Sequence, residues 1–258
     1  MKRVKRLLSL GIMLSSVSLA LVGCGTDKTG ENGGDKKYIV GTDATYAPME
    51  YMDDKGNIVG TDIDIIKALA KELDIEVEFK NYGWEPLFTA VSNEEVDFAV
   101  SSITITDERK ETYDFSDPYY AANQLILVPE ESSVAKFEDL KDKKVSVQIN
   151  TTGQKVVQEL LGNTSSKIVA TESMPLAISE MLNGNADASI GDNAVINEYK
   201  KNNPKVALKT VEDEAFDKEY YGLMVKKGNE ELLTLLNEGI EKLKANGKLK
   251  EITGFDVE

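Results

Sequence analysis

The sequence predicts an α/β protein built as two lobes. Three observations lead there. From Tyr38 onward short apolar strands alternate with amphipathic helices, the pattern of a mainly parallel sheet. A second series of such units begins near residue 125. The 258 residues are enough for two units of about 120, each with its own core.

Tyr38 to Gly41 reads as a strand, and Tyr51 to Val59 as a hairpin around the polar turn Asp53-Asp54-Lys55-Gly56-Asn57. Ile63, Ile66, Ala70 and Leu73 recur at helical spacing, with Asp62 placed to cap that helix. Ile75 to Phe79 alternates apolar and acidic residues as a half-buried strand does. Pro86 to Val91 opens a helix, with Pro in its tolerated first turn. Val96 to Val100 is again a strand. In the second series Leu125 to Val128, Val145 to Val147 and Ala186 to Ile190 read as strands. Helices are expected at about 153–161, 174–183 and 192–201. Tyr221 to Val225 is a last strand. Leu232, Leu235, Leu236, Ile240 and Leu243 then mark an amphipathic helix from Glu230 to Asn246, with Gly247 as its C-cap.

The N-terminus reads as an address. Lys2, Arg3, Lys5 and Arg6 precede an apolar stretch from Leu7 to Leu21, short for a bilayer span and right for a secretory signal. It ends in Leu21-Val22-Gly23-Cys24, which resembles a bacterial lipobox. That resemblance implies removal of residues 1–23 and lipidation of Cys24; an ordinary signal peptide with an incidental Cys is the plainer alternative. The polar, Gly-rich 24–37 stretch then serves as a flexible tether.

Composition removes many functions. With 30 Lys+Arg against 45 Asp+Glu the formal charge is −15, a poor match for nucleic acid. Loss of the signal's four cations takes the mature chain to −19. There is no histidine, which removes Ser-His-Asp and Cys-His catalysis and the commonest zinc ligand. The single cysteine excludes an internal disulfide or a CxxC pair. No cofactor or metal site is expected. Acidic runs such as Glu212-Asp213-Glu214 read as solvated faces.

The most informative run is residues 97–120, DFAVSSITITDERKETYDFSDPYY. It leaves a strand into a segment dense in hydroxyls and then places Arg109 behind Asp107 and Glu108. Ligands of open α/β sheets bind at such strand ends, and a guanidinium fork matches a carboxylate. From spacing alone, a Thr-capped surface helix carrying an ion-paired Arg is an equal alternative.

This run, with GTDATYAPMEYMDDKGNIVGTDIDI upstream, resembles the extracellular amino-acid-binding proteins of ABC importers, solute-binding family 3, over about Tyr38 to Phe255. The resemblance implies a type II periplasmic-binding-protein fold, two α/β lobes joined by two crossover strands. It places lobe 1 at 38–123 plus 222–258 and lobe 2 at 124–221. It implies that Arg109 clamps the ligand α-carboxylate, that Thr104 assists, and that the Ser102 carbonyl receives the α-ammonium. Thr151 and Thr152 cover the carboxylate from lobe 2, and Asp192 takes the ammonium; a helix N-cap is the other reading of Asp192. Asn150 stands where the family often has Gly.

Tyr46 and Trp84 match the aromatic pair that sandwiches the ligand side chain, although core packing is the commoner fate of a lone aromatic. Asp43 and Ser101 match positions at the ligand's distal end. Glu50, Gln148 and Gly191 are left open as specificity positions. The combination leans toward arginine or lysine, with glutamine or another polar amino acid as the alternative. The expected molecule is a monomeric, lipid-anchored receptor at the extracellular face of a bacterial membrane, partnered by a permease. A dehydratase-like enzyme and a sensor domain are the rivals.

Overall fold

The computed structural model describes residues 37–257, which belong to one compact unit. The expected signal, Cys24 and nearly all of the tether lie outside the described residues.

The chain opens with β1 (Lys37–Thr42), then a small antiparallel sheet of β2 (Thr45–Tyr46), β3 (Glu50–Met52) and β4 (Ile58–Val59). Next come α1 (Thr61–Leu73), β5 (Glu76–Asn81), α2 (Trp84–Ser92) and β6 (Phe98–Ala99). They are followed by α3 (Asp107–Thr112), β7 (Tyr113–Phe115) and β8 (Tyr120–Ala122). The second series is β9 (Gln124–Pro129), β10 (Val145–Gln148), α4 (Thr152–Leu161), β11 (Ile168–Thr171), α5 (Met174–Leu182) and β12 (Ala188–Asp192). It closes with α6 (Asn193–Asn202), β13 (Leu208–Val211) and β14 (Glu219–Tyr221). Then β15 (Met224–Lys226), α7 (Glu230–Ala245) and α8 (Lys248–Thr253) complete the chain.

Two five-stranded sheets share one plan. In the first, β5-β1-β6-β15-β7, β1 runs parallel to β5 and β6, and β15 enters antiparallel. In the second, β11-β10-β12-β9-β13, β10 runs parallel to β11 and β12, and β9 enters antiparallel. Each antiparallel entrant follows a crossing segment. Those segments, β8 and β14, pair with each other between the lobes, so the fold is the type II arrangement of two lobes joined by two strands. Val40, Ile65, Leu69, Leu236 and Leu243 are fully buried on the first lobe, and Val128, Val145, Val147 and Ala188 on the second. Among the described residues no helix is long and apolar enough to cross a membrane.

Several elements differ from the sequence reading. The single strand at 221–225 is two, β14 and β15, broken at Gly222. A Cβ there would lie 2.8 Å from Ile105 Cδ1 and 3.2 Å from the Ser116 carbonyl oxygen, so the close crossing requires glycine. The strand expected at 186–190 lies two residues further on, which puts Asp192 at its end. The strand at 96–100 shortens to β6, and β11, β13 and α8 are additions. Asp62 does not cap α1. The N-cap is Gly60, and Asp62 sits buried inside the first turn, where its carboxylate reaches across to Ser102 and Tyr119. Gly247 is left-handed but opens α8; Asn246 is the C-cap of α7. Asp213, within the acidic run read as solvated, accepts hydrogen bonds from the Phe137 and Ala215 amides.

Candidate ligand-binding site

A cavity lies between the lobes. It sits where β1, β6, β10 and β12 end, at the carboxyl edges of both sheets. The lobes meet around it: Arg109 Nη2 donates to the Asn150 carbonyl at 3.1 Å, Asn150 to Glu85 at 2.5 Å, and Lys155 pairs with Glu108 at 3.4 Å.

On the first lobe the chain leaves β6 through Ser101, Ser102 and Thr104, all buried in the cavity wall. Ser102 has φ 49°, a left-handed conformation uncommon for a residue with a Cβ. Its N–H is held by Asp62 Oδ2 at 2.7 Å, a charge-assisted bond that stabilises the turn. Thr106 caps α3 by accepting the Arg109 N–H at 3.1 Å, as the surface-helix alternative expects. The Arg109 side chain departs from that alternative. It joins none of the ion pairs found among the described residues. It turns into the cavity wall, donating from Nη1 to the Thr104 carbonyl at 2.8 Å. Its guanidinium lies 5.4 Å from the Trp84 ring centre and 5.5 Å from that of Phe88, within cation–π range. Burial lowers its pKa, against the opposing influence of Glu219 and Asp192.

On the second lobe Thr151 is the N-cap of α4, accepting the Gln154 N–H at 3.1 Å and donating to the Gln148 carbonyl at 2.8 Å. The positive end of that helix dipole therefore faces the cavity at Thr151 and Thr152. Asn150 takes a left-handed φ of 56°, a conformation Asn tolerates better than most residues. Asp192 ends β12. It occupies the N-cap position of α6 but makes no capping bond. Its carboxylate accepts instead from Gln124 Nε2 at 2.6 Å and the Tyr221 hydroxyl at 2.5 Å. Burial and the nearby Glu219 raise its pKa to about 6, against lowering hydrogen bonds from Tyr221, Gln124 and Tyr46.

Two outer grooves adjoin the cavity. One shares Arg109, Thr151 and Thr152 with it; the other shares Asp43 and Trp84. Beside Asp43, the Ser101 hydroxyl accepts the Asp43 N–H at 2.9 Å and donates to Glu50 at 2.9 Å. Gln148 reaches Asp43 across the lobes at 3.4 Å. Burial raises the Asp43 pKa, and raises that of Glu50 further, with Asp62 adding to it. Tyr46 and Trp84 are both buried against the cavity, and the Trp84 Nε1 proton meets no acceptor among the described residues.

The structure thus brings Asp43, Tyr46, Trp84, Ser101, Ser102 and Thr104 together with Arg109, Thr151, Thr152 and Asp192 around one cavity. Glu50, Gln148 and Gly191, left open from the sequence, line it as well. Sequence reasoning missed Gln124, Met174 and Ile190 in the wall, and Glu219 behind it. Glu219 accepts from Thr104 at 2.7 Å, Thr152 at 2.8 Å and Gln124 at 3.0 Å.

A cavity between two such lobes, with a guanidinium and a carboxylate facing it, defines a solute-binding protein. The chain belongs to the bacterial extracellular solute-binding proteins, family 3, whose family model matches residues 38–254. It is 42% identical to the probable histidine-binding protein of Neisseria gonorrhoeae over 218 residues, 84% of this chain and 81% of that protein. It is 31% identical to the arginine-binding extracellular protein ArtP of Bacillus subtilis, over 93% of this chain and 94% of that one. The crystal structure of the arginine-, lysine-, histidine-binding protein ArtJ from Geobacillus stearothermophilus superposes with a TM-score of 0.82 at 46% identity. That match covers 86% of this chain and 97% of ArtJ.

Proposed function

We propose that this chain is the receptor of an amino-acid ABC importer and captures a cationic L-amino acid, of the arginine or lysine type, between its closing lobes. The observation that carries the reading is a surplus of carboxyl groups. A zwitterion needs one cation and one anion, which Arg109 and Asp192 supply; Asp43 and Glu50 are two further acids in the same cavity wall. Buried acids beyond the one the zwitterion needs call for a positive ligand tip. The names of the relatives point the same way.

In this reading Arg109, Thr104, Thr151 and Thr152 hold the α-carboxylate, while Asp192 and the Ser102 carbonyl hold the ammonium. Tyr46 and Trp84 flank the aliphatic stem, and Asp43 with Ser101 meets the tip. Residues 38–123 and 222–258 act as one lobe and 124–221 as the other. The mature monomer hangs from the membrane by lipid on Cys24, so Cys24→Ser moves it to the soluble fraction. Closure follows from ligand binding better to the closed form. The site holds its ligand unchanged and is not an enzyme.

Calorimetry with arginine, lysine, histidine and glutamine tests this. The expected result is one cationic amino acid bound per chain and recovered intact by mass spectrometry. Binding of glutamine in preference to all three cations overturns the cationic reading, and a chemically altered ligand overturns the receptor reading.

A further inference from the structure

Glu50 lines the cavity, and the carboxyl of Asp62 lies beside it on the same Ser102 hydroxyl. Both are almost wholly buried, and neither joins an ion pair among the described residues. Asp62 Oδ2 accepts the Ser102 N–H at 2.7 Å and the Tyr119 hydroxyl at 2.9 Å. Asp62 Oδ1 meets no conventional donor among the described residues. The two Glu50 oxygens accept from the Ser101 hydroxyl at 2.9 Å and the Ser102 hydroxyl at 3.2 Å, and the same Ser102 hydroxyl lies 3.5 Å from Asp62 Oδ2, so both carboxyls converge on it.

Two carboxylates in contact, buried and without a cation, do not both stay ionised. One proton is therefore shared between them. The hydrogen bonds decide where it resides. Asp62 is fixed as the carboxylate by a backbone N–H and a phenol, so Glu50 carries the proton. The groups facing the pair are Asp43 beyond β1, Tyr46 on β2, Tyr119 before β8 and Tyr120 on β8, with Asp192 acting on both Tyr46 and Tyr120. None of these is a cation.

We infer that the Glu50–Asp62 pair holds one exchangeable proton, which the positive tip of a cationic ligand displaces. The Glu50 O–H bond breaks, the proton passes to a base in solution, and the Glu50 carboxylate pairs with the ligand cation. A neutral ligand leaves the proton in place. The inference rests on the site proposed above and adds a distinction between charged and neutral ligands that shape alone does not provide.

The test uses L-arginine and its neutral isostere L-citrulline, titrated calorimetrically in two buffers of different ionisation enthalpy. Asp192 meets the same ammonium in both ligands, so its contribution cancels. Wild-type protein is expected to release about one more proton with arginine than with citrulline, and the excess disappears in Glu50→Gln. Equal release by wild type overturns the inference while leaving the receptor intact. Should citrulline fail to bind, arginine is compared between wild type and Glu50→Gln, and equal release overturns it. If Glu50→Gln does not fold, the infrared difference spectrum of wild type decides. Loss of a protonated-carboxyl band on adding arginine supports the exchange, and an unchanged band refutes it. Absence of binding by any amino acid removes the site and the inference together.

Discussion

Glu219 ties the two lobes through a single carboxylate, and replacing it measures what holds them closed. Thr104 is fixed to β14 by backbone: it bridges Tyr221, and the Ile105 N–H donates to the Tyr220 carbonyl at 2.8 Å. Thr152 opens α4 on the second lobe and reaches Glu219 only by its hydroxyl, at 2.8 Å. Opening the lobes therefore breaks the Thr152 contact and spares that of Thr104. A hydrogen bond to a charged acceptor contributes about 1.5–3 kcal/mol. Losing it shifts the closure equilibrium by about 10- to 150-fold, and ligand affinity falls with the closed fraction, by up to the same factor. Glu219→Gln keeps the shape but turns at least one of the three donors toward another donor. Small-angle scattering without ligand should show a more extended molecule, and calorimetry near pH 8, above the raised Asp192 pKa of about 6, should show the affinity loss. Unchanged scattering together with affinity within about twofold of wild type refutes the reasoning.

Other outcomes are expected from the same geometry. Arg109→Ala and Asp192→Ala should each abolish measurable binding, since each leaves a ligand charge buried and unpaired at a cost of about 3–5 kcal/mol; calorimetry reads this directly. The raised Asp192 pKa of about 6 means that the folded state holds a proton the unfolded chain gives up earlier. That stabilisation is complete below the unfolded value of about 4 and is lost as pH rises through about 6. The difference in melting temperature between about pH 4 and pH 8 should therefore shrink in Asp192→Asn. A Cβ at Gly191 would lie 2.5 Å from Met174 Sδ, at the flexible end of that side chain. Gly191→Ala should push the thioether into the cavity and weaken ligand binding while costing about 1 kcal/mol or less of stability, seen as a split between titration and thermal melt.

The alternation of apolar strands and amphipathic helices made the two sheets legible, and the hydroxyl-rich turn before Arg109 marked the first-lobe wall. What stayed hidden depends on the crossing strands. Gln124 and Glu219 are 95 residues apart and meet because β8 pairs with β14. Before that pairing is known, Glu219 is one more acid in a chain of 45 Asp+Glu. Asp62 looked like a cap because an acid near a helix start is usually solvated there. Its reach to Ser102 becomes visible only once the turn after β6 is brought to the start of α1. The break at Gly222 escaped detection because the apolar residues on either side of it, Tyr221 and Leu223 to Val225, read as one strand and conceal a change of sheet.

Gly60 has a wider consequence. Its φ of 129° lets the Thr61 and Asp62 amides dock onto the Pro48 and Met49 carbonyls at 3.0 and 2.9 Å, and a Cβ there would lie 2.2 Å from the Met49 oxygen. Residues 50 and 62 are thus registered to each other by main chain alone. Charge at position 50 becomes a replaceable cartridge. Its side chain can be exchanged by drift or design without redrawing the loop that carries it, while Asp62 stays to hold the Ser102 turn, so ligand preference can change while the scaffold stays fixed.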